Sequence, residues 1–280
     1  MPEIRLIALD LDNTLLNSEK QLSEENRRTL FRAAEEGIVV VPATGRFFDG
    51  IPDCVRSLPF LRYSITINGA CVTDLARKRM VSKAEIPVSR AIAIMEYLDR
   101  IPVIYDCYMD NWGWMTAALQ DQAELFAPSP HYVKMLKELR TPVPELKKHL
   151  RKVGHDVQKI QMFFRDLSLR GETESYLKEH FPDISITSAV VNNLEINDRY
   201  ATKGNALLAL ASYLGIDPAE TMAFGDDLND VSMLKAAGIG VAMGNASDPV
   251  KAAADKVTAS CDEDGVSAAI QAVVWGENLP

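Results

Sequence analysis

The chain has 280 residues, 47% hydrophobic and 25% charged, and its 39 acidic against 30 basic side chains leave a formal charge of −9. With no basic block or tail to follow a phosphate backbone, nucleic acid and anionic membrane are excluded as expected partners. No apolar run approaches the roughly 20 residues that span a bilayer; the scattered cysteines Cys54, Cys71, Cys107 and Cys261 form no C-x-x-C, and with no signal-peptide pattern they predict reduced thiols in a cytoplasmic protein.

Ile4-Arg5-Leu6-Ile7-Ala8-Leu9 predicts a strand buried on both faces, and it runs directly into Asp10-Leu11-Asp12-Asn13-Thr14. Residues i and i+2 of a strand point the same way, so Asp10 and Asp12 leave its carboxyl end together. Ligands of open α/β sheets bind beyond that end, and paired carboxylates there repel unless a cation or a shared proton intervenes. The same pentapeptide also reads as an ordinary strand end and turn. Ser23 is the expected N-cap of a helix that carries Leu30, Phe31 and Ala34 on one face and stops at Gly37. A second strand over residues 38–41 leads through Pro42-Ala43-Thr44-Gly45-Arg46 to a second helix up to about Leu58. A third strand over residues 63–67 ends at Asn68-Gly69. This alternation predicts a Rossmann-like parallel sheet.

From Glu85 the character changes, with Pro87, Pro102, Pro128, Pro130, Pro142 and Pro144 and a group of aromatics at Tyr105, Tyr108, Trp112 and Trp114. Strands over Val103–Met109, Lys159–Phe164 and Ile184–Thr187, with helices near residues 91–98 and 172–181, predict an α+β domain. Residues 190–196 are expected to return the chain to the first domain. Then follow helix Lys203–Leu214, strand 221–224, helix 228–237, strand Ile239–Ala242, helix 248–254 and a short strand near Val257. The expected organisation is α/β: residues 1–84 and 190–280 form the core, and residues 85–189 are an inserted α+β domain. There is no internal repeat or low-complexity tract.

Three further segments fall at strand ends or helix starts. Thr44-Gly45 offers a hydroxyl and N–H groups suited to phosphate, or simply an N-cap with a flexible neighbour. Lys203-Gly204 places a cation where the helix dipole favours anions, and a solvated surface lysine is the plain alternative. In Gly225-Asp226-Asp227-Leu228-Asn229-Asp230, Asp227 and Asp230 suit a helix cap and a first-turn acid, whereas Asp226 has no such explanation.

In this order, with a domain inserted after the third strand, these four segments resemble the motifs of the haloacid dehalogenase superfamily, and within it the Cof-type sugar-phosphate phosphatases with a large α/β cap. The likeness spans nearly the whole chain. One departure is Asn13, where most relatives carry Gly; Asn is the next most tolerant residue if the site has positive φ. The resemblance implies that Asp10 is a nucleophile forming an aspartyl-phosphate and that Asp12 protonates the leaving alkoxide and later deprotonates water. It implies Mg²⁺ held by the Asp10 carboxylate, the Asp12 carbonyl and Asp226, with Asp230 in the metal group orienting this shell. Thr44, Lys203 and Asn229 would bind phosphoryl oxygens, with Gly45 and Arg46 beside them. The inserted domain would set specificity, with Arg46, Asn68, Trp112 and Trp114 as candidate contacts; Trp112 and Trp114 equally suit that domain's own core. His131, His149, His155 and His180 have no metal-ligand spacing and receive no role. The implied function is a Mg²⁺-dependent phosphatase acting on small-molecule phosphate esters such as sugar phosphates. A phosphomutase and a non-catalytic sugar-phosphate sensor are the alternatives, and substrate and oligomeric state are not readable.

Overall fold

The computed structural model describes residues 3–277. The chain forms two compact units, one built from the residues up to Lys83 together with those from Thr202 onward, the other from Ala84–Ala201. In chain order the strands are β1 Leu6–Leu9, β2 Val39–Pro42, β3 Tyr63–Thr66, β4 Cys71–Asp74 and β5 Arg79–Lys83. The inserted unit holds β6 Val103–Met109, β7 Trp112–Thr116, β8 Thr141–Val143, β9 Lys159–Phe164, β10 Ile184–Thr187 and β11 Asn193–Asp198. The first unit resumes with β12 Thr221–Gly225, β13 Ile239–Ala242 and β14 Lys256–Val257.

The first unit is organised by a five-stranded parallel sheet in the order β14-β13-β12-β1-β2. The run Leu6-Ile7-Ala8-Leu9 is wholly buried because helices cover both faces. Ile7 and Leu9 join Val40, Met222 and Phe224 in a core that includes Leu30 of helix Glu24–Glu35 and Ile270 of helix Gly265–Val274. Leu6 and Ala8 join Val41, Ala223, Leu207 and Leu210 on the opposite side. Connections run from β1 to β2 in one direction and return to β12 on β1's other flank, so the strand order reverses between β1 and β12. At that switch point the carboxyl ends deliver Asp10 and Asp226, in the crevice where such sheets bind ligands. Ser23 caps the first helix as expected, accepting from the Asn26 N–H at 3.1 Å.

Three expectations for this unit need correction. The helix expected up to Leu58 is only a 3-10 turn, Phe48–Gly50, and a short helix, Asp53–Arg56, because Gly50 and Pro52 interrupt it. Thr44-Gly45 is therefore a bend and not a helix start. The third strand leaves the parallel sheet: β3, β4 and β5 form an antiparallel sheet, tied to β2 by one parallel bridge between Ala43 and Ile65. Helix Gly265–Val274 was not anticipated.

The inserted unit carries a six-stranded sheet, order β10-β11-β9-β6-β7-β8, antiparallel except for the β7–β8 pair. Residues 190–196 do not return the chain to the first unit. β11 lies between β9 and β10, and Leu194 and Ile196 fill this unit's core, so the unit extends to Ala201 and the expected boundary at residue 190 moves. Alternating Asn193, Leu194, Glu195, Ile196 and Asn197 reads as a half-buried strand in any sheet, and only pairing decides which one. Trp114 packs against the same core, stacks on His149 at 4.5 Å and donates to the Met109 carbonyl; Trp112 donates to Thr141. Both tryptophans thus brace their own unit. On the sheet's other face Arg140 lies fully buried, its Nε 3.1 Å from Asp106 and its Nη2 donating to the Tyr108 hydroxyl at 2.7 Å, beside a buried Lys159–Glu195 pair.

Candidate active site

Asp10 follows β1 with its N–H donated to the Phe224 carbonyl of β12, which fixes its carboxylate at the switch point. Lys203, the first residue of helix Lys203–Leu214, is fully buried and donates from Nζ to Asp10 Oδ1 and to Asp230 Oδ1, each at 2.6 Å. The dipole objection to a lysine at this end is overcome by two carboxylates in direct contact. Burial, with Asp230 and Asp226 beside it, pushes the Asp10 carboxyl well above the usual range against the pull of Lys203. Although burial opposes it, the charges of Asp10 and Asp230 raise the proton affinity of Lys203, which stays charged.

The fourth motif folds around Asp230. Its Oδ2 accepts the Asp226 and Asp227 N–H groups at 3.0 and 3.1 Å, while Oδ1 holds Lys203, so one carboxylate caps the loop and anchors the cation. The turn is tight enough that a Cβ on Gly225 would lie 2.3 Å from Asp230 Cβ, which restricts that position to glycine. Asp226 accepts from Thr14 Oγ1 at 2.8 Å, and burial, then Asp230 and Asp227, push its carboxyl up to about 6. Thr14 was not singled out in the sequence, although it ends the first motif.

Asp12 faces a different set of partners. Arg46 grips it with both arms, Nε to Oδ2 at 2.8 Å and Nη2 to Oδ1 at 2.9 Å, and its Nη1 donates to the Gly50 carbonyl at 3.0 Å. Lys20 Nζ lies 3.3 Å from Asp12 Oδ1 and donates to Asn13 Oδ1 at 2.9 Å. Against the upward push of partial burial, Arg46 and then Lys20 hold the Asp12 carboxyl below its ordinary value. Asn13 does adopt positive φ, 64°, the condition under which asparagine replaces glycine cheaply.

Thr44 is buried at the end of β2, its N–H bonded to the Ile65 carbonyl and its Oγ1 accepting from the Arg46 N–H at 3.2 Å. Asn229 Nδ2 donates to Asn68 Oδ1 at 3.2 Å, and that oxygen lies 2.8 Å from where a Gly45 Cβ would be. The structure thus gathers Asp10, Asp226, Asp230 and Lys203 in one cluster, Asp12 and Arg46 in a second, and Asn229, Asn68 and Gly45 in a third.

Ligand oxygens of Asp10, Asp226 and Asp230 lie within 4.8 Å of one another. Lys203 and Thr14 each take one oxygen, on Asp10 and Asp226 respectively, and leave the other for a cation, whereas Asp230 has both oxygens engaged. Crowded, partly desolvated carboxylates with all-oxygen donors fit a hard divalent ion such as Mg²⁺. Asp230 serves such an ion by orienting Asp226 and neutralising Lys203. The Asp12 side chain points to its cations, so its share would come through the main chain, as the resemblance implies.

The sequence profile of the haloacid dehalogenase-like hydrolases matches residues 7–270. The chain belongs to this family. Haloacid dehalogenase-like relatives in Bacillus subtilis include phosphatase YwpJ, 34% identical over 94% of this chain and 98% of its own length. A second is 5-amino-6-(5-phospho-D-ribitylamino)uracil phosphatase YcsE, 31% identical over 96% and 95%. A solved haloacid dehalogenase-like hydrolase from Bacteroides thetaiotaomicron superposes with TM-score 0.82 at 30% identity, covering 97% of this chain and all of that one. The protein is an enzyme of the phosphatase class within this family. Among the described residues no helix is long and apolar enough to cross a membrane.

Proposed function

We propose that the enzyme hydrolyses phosphate monoesters of small metabolites by way of an aspartyl-phosphate on Asp10. The observation that carries this reading is the buried Lys203 ammonium bridging Asp10 and Asp230 at the end of β1. An Asp10 oxygen bonds to phosphorus, the ester P–O bond breaks, and the departing oxygen takes the Asp12 proton. Water then gives a proton to Asp12 as its oxygen bonds to phosphorus, the Asp10–phosphorus bond breaks, and inorganic phosphate leaves. The clamped Asp12 carboxylate is the base form needed for the second half, so before the first it must take up a proton. Lys203, Thr44 and Asn229 stabilise the charge spread over the phosphoryl oxygens.

Asp10, Asp226 and the Asp12 carbonyl would hold Mg²⁺. When bound, the ion neutralises the crowded carboxylates and polarises the phosphoryl group. We assign selectivity among leaving groups to the inserted unit, and the unpaired cysteines suit a reducing, cytoplasmic setting. Release of phosphate from an aryl phosphate, dependent on divalent cation and abolished by Asp10→Asn, tests the reading. Turnover within about tenfold of wild type in folded Asp10→Asn protein removes Asp10 as nucleophile, since loss of a covalent catalyst costs far more.

A further inference from the structure

Lys20 has no part in any of the four motifs, yet its ammonium reaches the carboxylate to which the mechanism assigns both proton transfers. The chain is folded to bring it there. Asn17 Oδ1 accepts the N–H groups of Glu19 and Gln21, the Lys20 N–H bonds to the Asn17 carbonyl at 2.9 Å, and Lys20 itself adopts φ 62°. Its Nζ is then fixed at two points, Asn13 Oδ1 and Asp12 Oδ1. The first of these exists only because residue 13 carries a side chain, and the Asn13 carbonyl is in turn held by Asn245 Nδ2 at 2.9 Å. Lys20 is about half exposed, so an ion pair there contributes little to stability. Orientation is the remaining gain: Arg46 alone fixes Asp12 from one side, and a carboxylate held from one side can still swing away with that partner.

We propose that Lys20 is a positioning residue for Asp12, held in place by Asn13, so that the acid–base carboxylate is gripped from two sides. This rests on the assignment of Asp12 as acid and base. General acid–base groups contribute roughly 10²–10⁴-fold, and imprecise placement forfeits part of that, so Lys20→Met should lower kcat by about tenfold. KM should stay within about twofold, because the ammonium binds no substrate in this scheme. Lys20→Arg should restore most of kcat. Asn13→Gly, which the positive φ tolerates, should reproduce part of the loss with the lysine intact.

The deciding measurement is a cycle. In an Asp12→Asn background, Lys20→Met should cost no more than about twofold, because the residue acts only through Asp12. Equal losses in both backgrounds, or a loss confined to KM, overturn the proposal, as does an unchanged kcat in Lys20→Met. Denaturant midpoints of the same four proteins give a second cycle that needs no turnover, in which non-additive shifts support the grip and strict additivity removes it. Absence of phosphate release by wild type from any ester would refute the phosphatase reading separately, and the denaturant cycle would still judge the grip.

Discussion

Replacing Lys203 by Met takes out the cation on which the site's electrostatics turn. Its ammonium is fully buried and shared between Asp10 and Asp230 at 2.6 Å each, with Asp226 in the same cluster. Met is close in volume, so packing changes little and the main loss is charge. Breaking a buried ion pair from one side costs about 3–5 kcal/mol, because an uncompensated charge stays behind. Here two carboxylates are stranded, and against a typical total of about 5–15 kcal/mol a loss at the upper end of that range is expected. The protein can lessen it by protonating Asp10, whose native proton affinity burial already raises. A carboxyl raised in the native state adds stability while it is protonated, and that contribution fades as pH rises out of the carboxylate range. The variant should therefore gain stability, relative to wild type, as pH falls from 7 toward 5. Divalent cation should likewise recover part of it. Turnover should drop by at least about 10²–10³-fold for every ester, since the phosphoryl group is common to all. Urea denaturation at pH 5 and 7, with and without Mg²⁺, and kcat/KM on several esters are the assays. A destabilisation below about 1 kcal/mol at pH 7, or a turnover loss restricted to some esters, would refute the electrostatic argument.

Asp226 must ionise to bind a cation, and with its carboxyl pushed up to about 6, Mg²⁺ affinity should climb with pH to near 6 and level off above it. Calorimetric titrations between pH 5 and 7 giving one constant affinity would rule this out. In the inserted unit, Arg140→Met leaves Asp106 buried without its cation and should cost about 3–5 kcal/mol in a denaturant melt; a loss under about 1 would show that the pair is dispensable. Trp114→Ala empties part of that unit's core and should destabilise by about 3 kcal/mol without reordering kcat/KM among phosphate esters. A changed ranking in a stably folded variant would return Trp114 to substrate contact.

What could be read in advance follows the range of each signal. The run Leu6-Ile7-Ala8-Leu9 declares a doubly buried strand by itself, and the i, i+2 rule then places Asp10 and Asp12 at its end. Asn13 could be assigned a positive φ because relatives and backbone sterics agree on it. Residues whose meaning depends on a distant partner resisted local reading. Lys203 looks like a surface lysine ill placed for a helix dipole until Asp10, 193 positions earlier, is known to touch it. β11 looks like a returning core strand until its pairing with β9 and β10 is known. Thr44-Gly45 looked like a helix start because the breakers Gly50 and Pro52 were weighed too lightly. Lys20 marks the limit of motif reading in another way. Its loop is local and its turn residues ordinary, yet its ammonium meets Asp12 only because Asn17 shapes the turn and Asn13 supplies an acceptor. A motif records which residues perform the chemistry; the side chains that hold those residues still can lie wherever the backbone happens to pass, and finding them requires the coordinates.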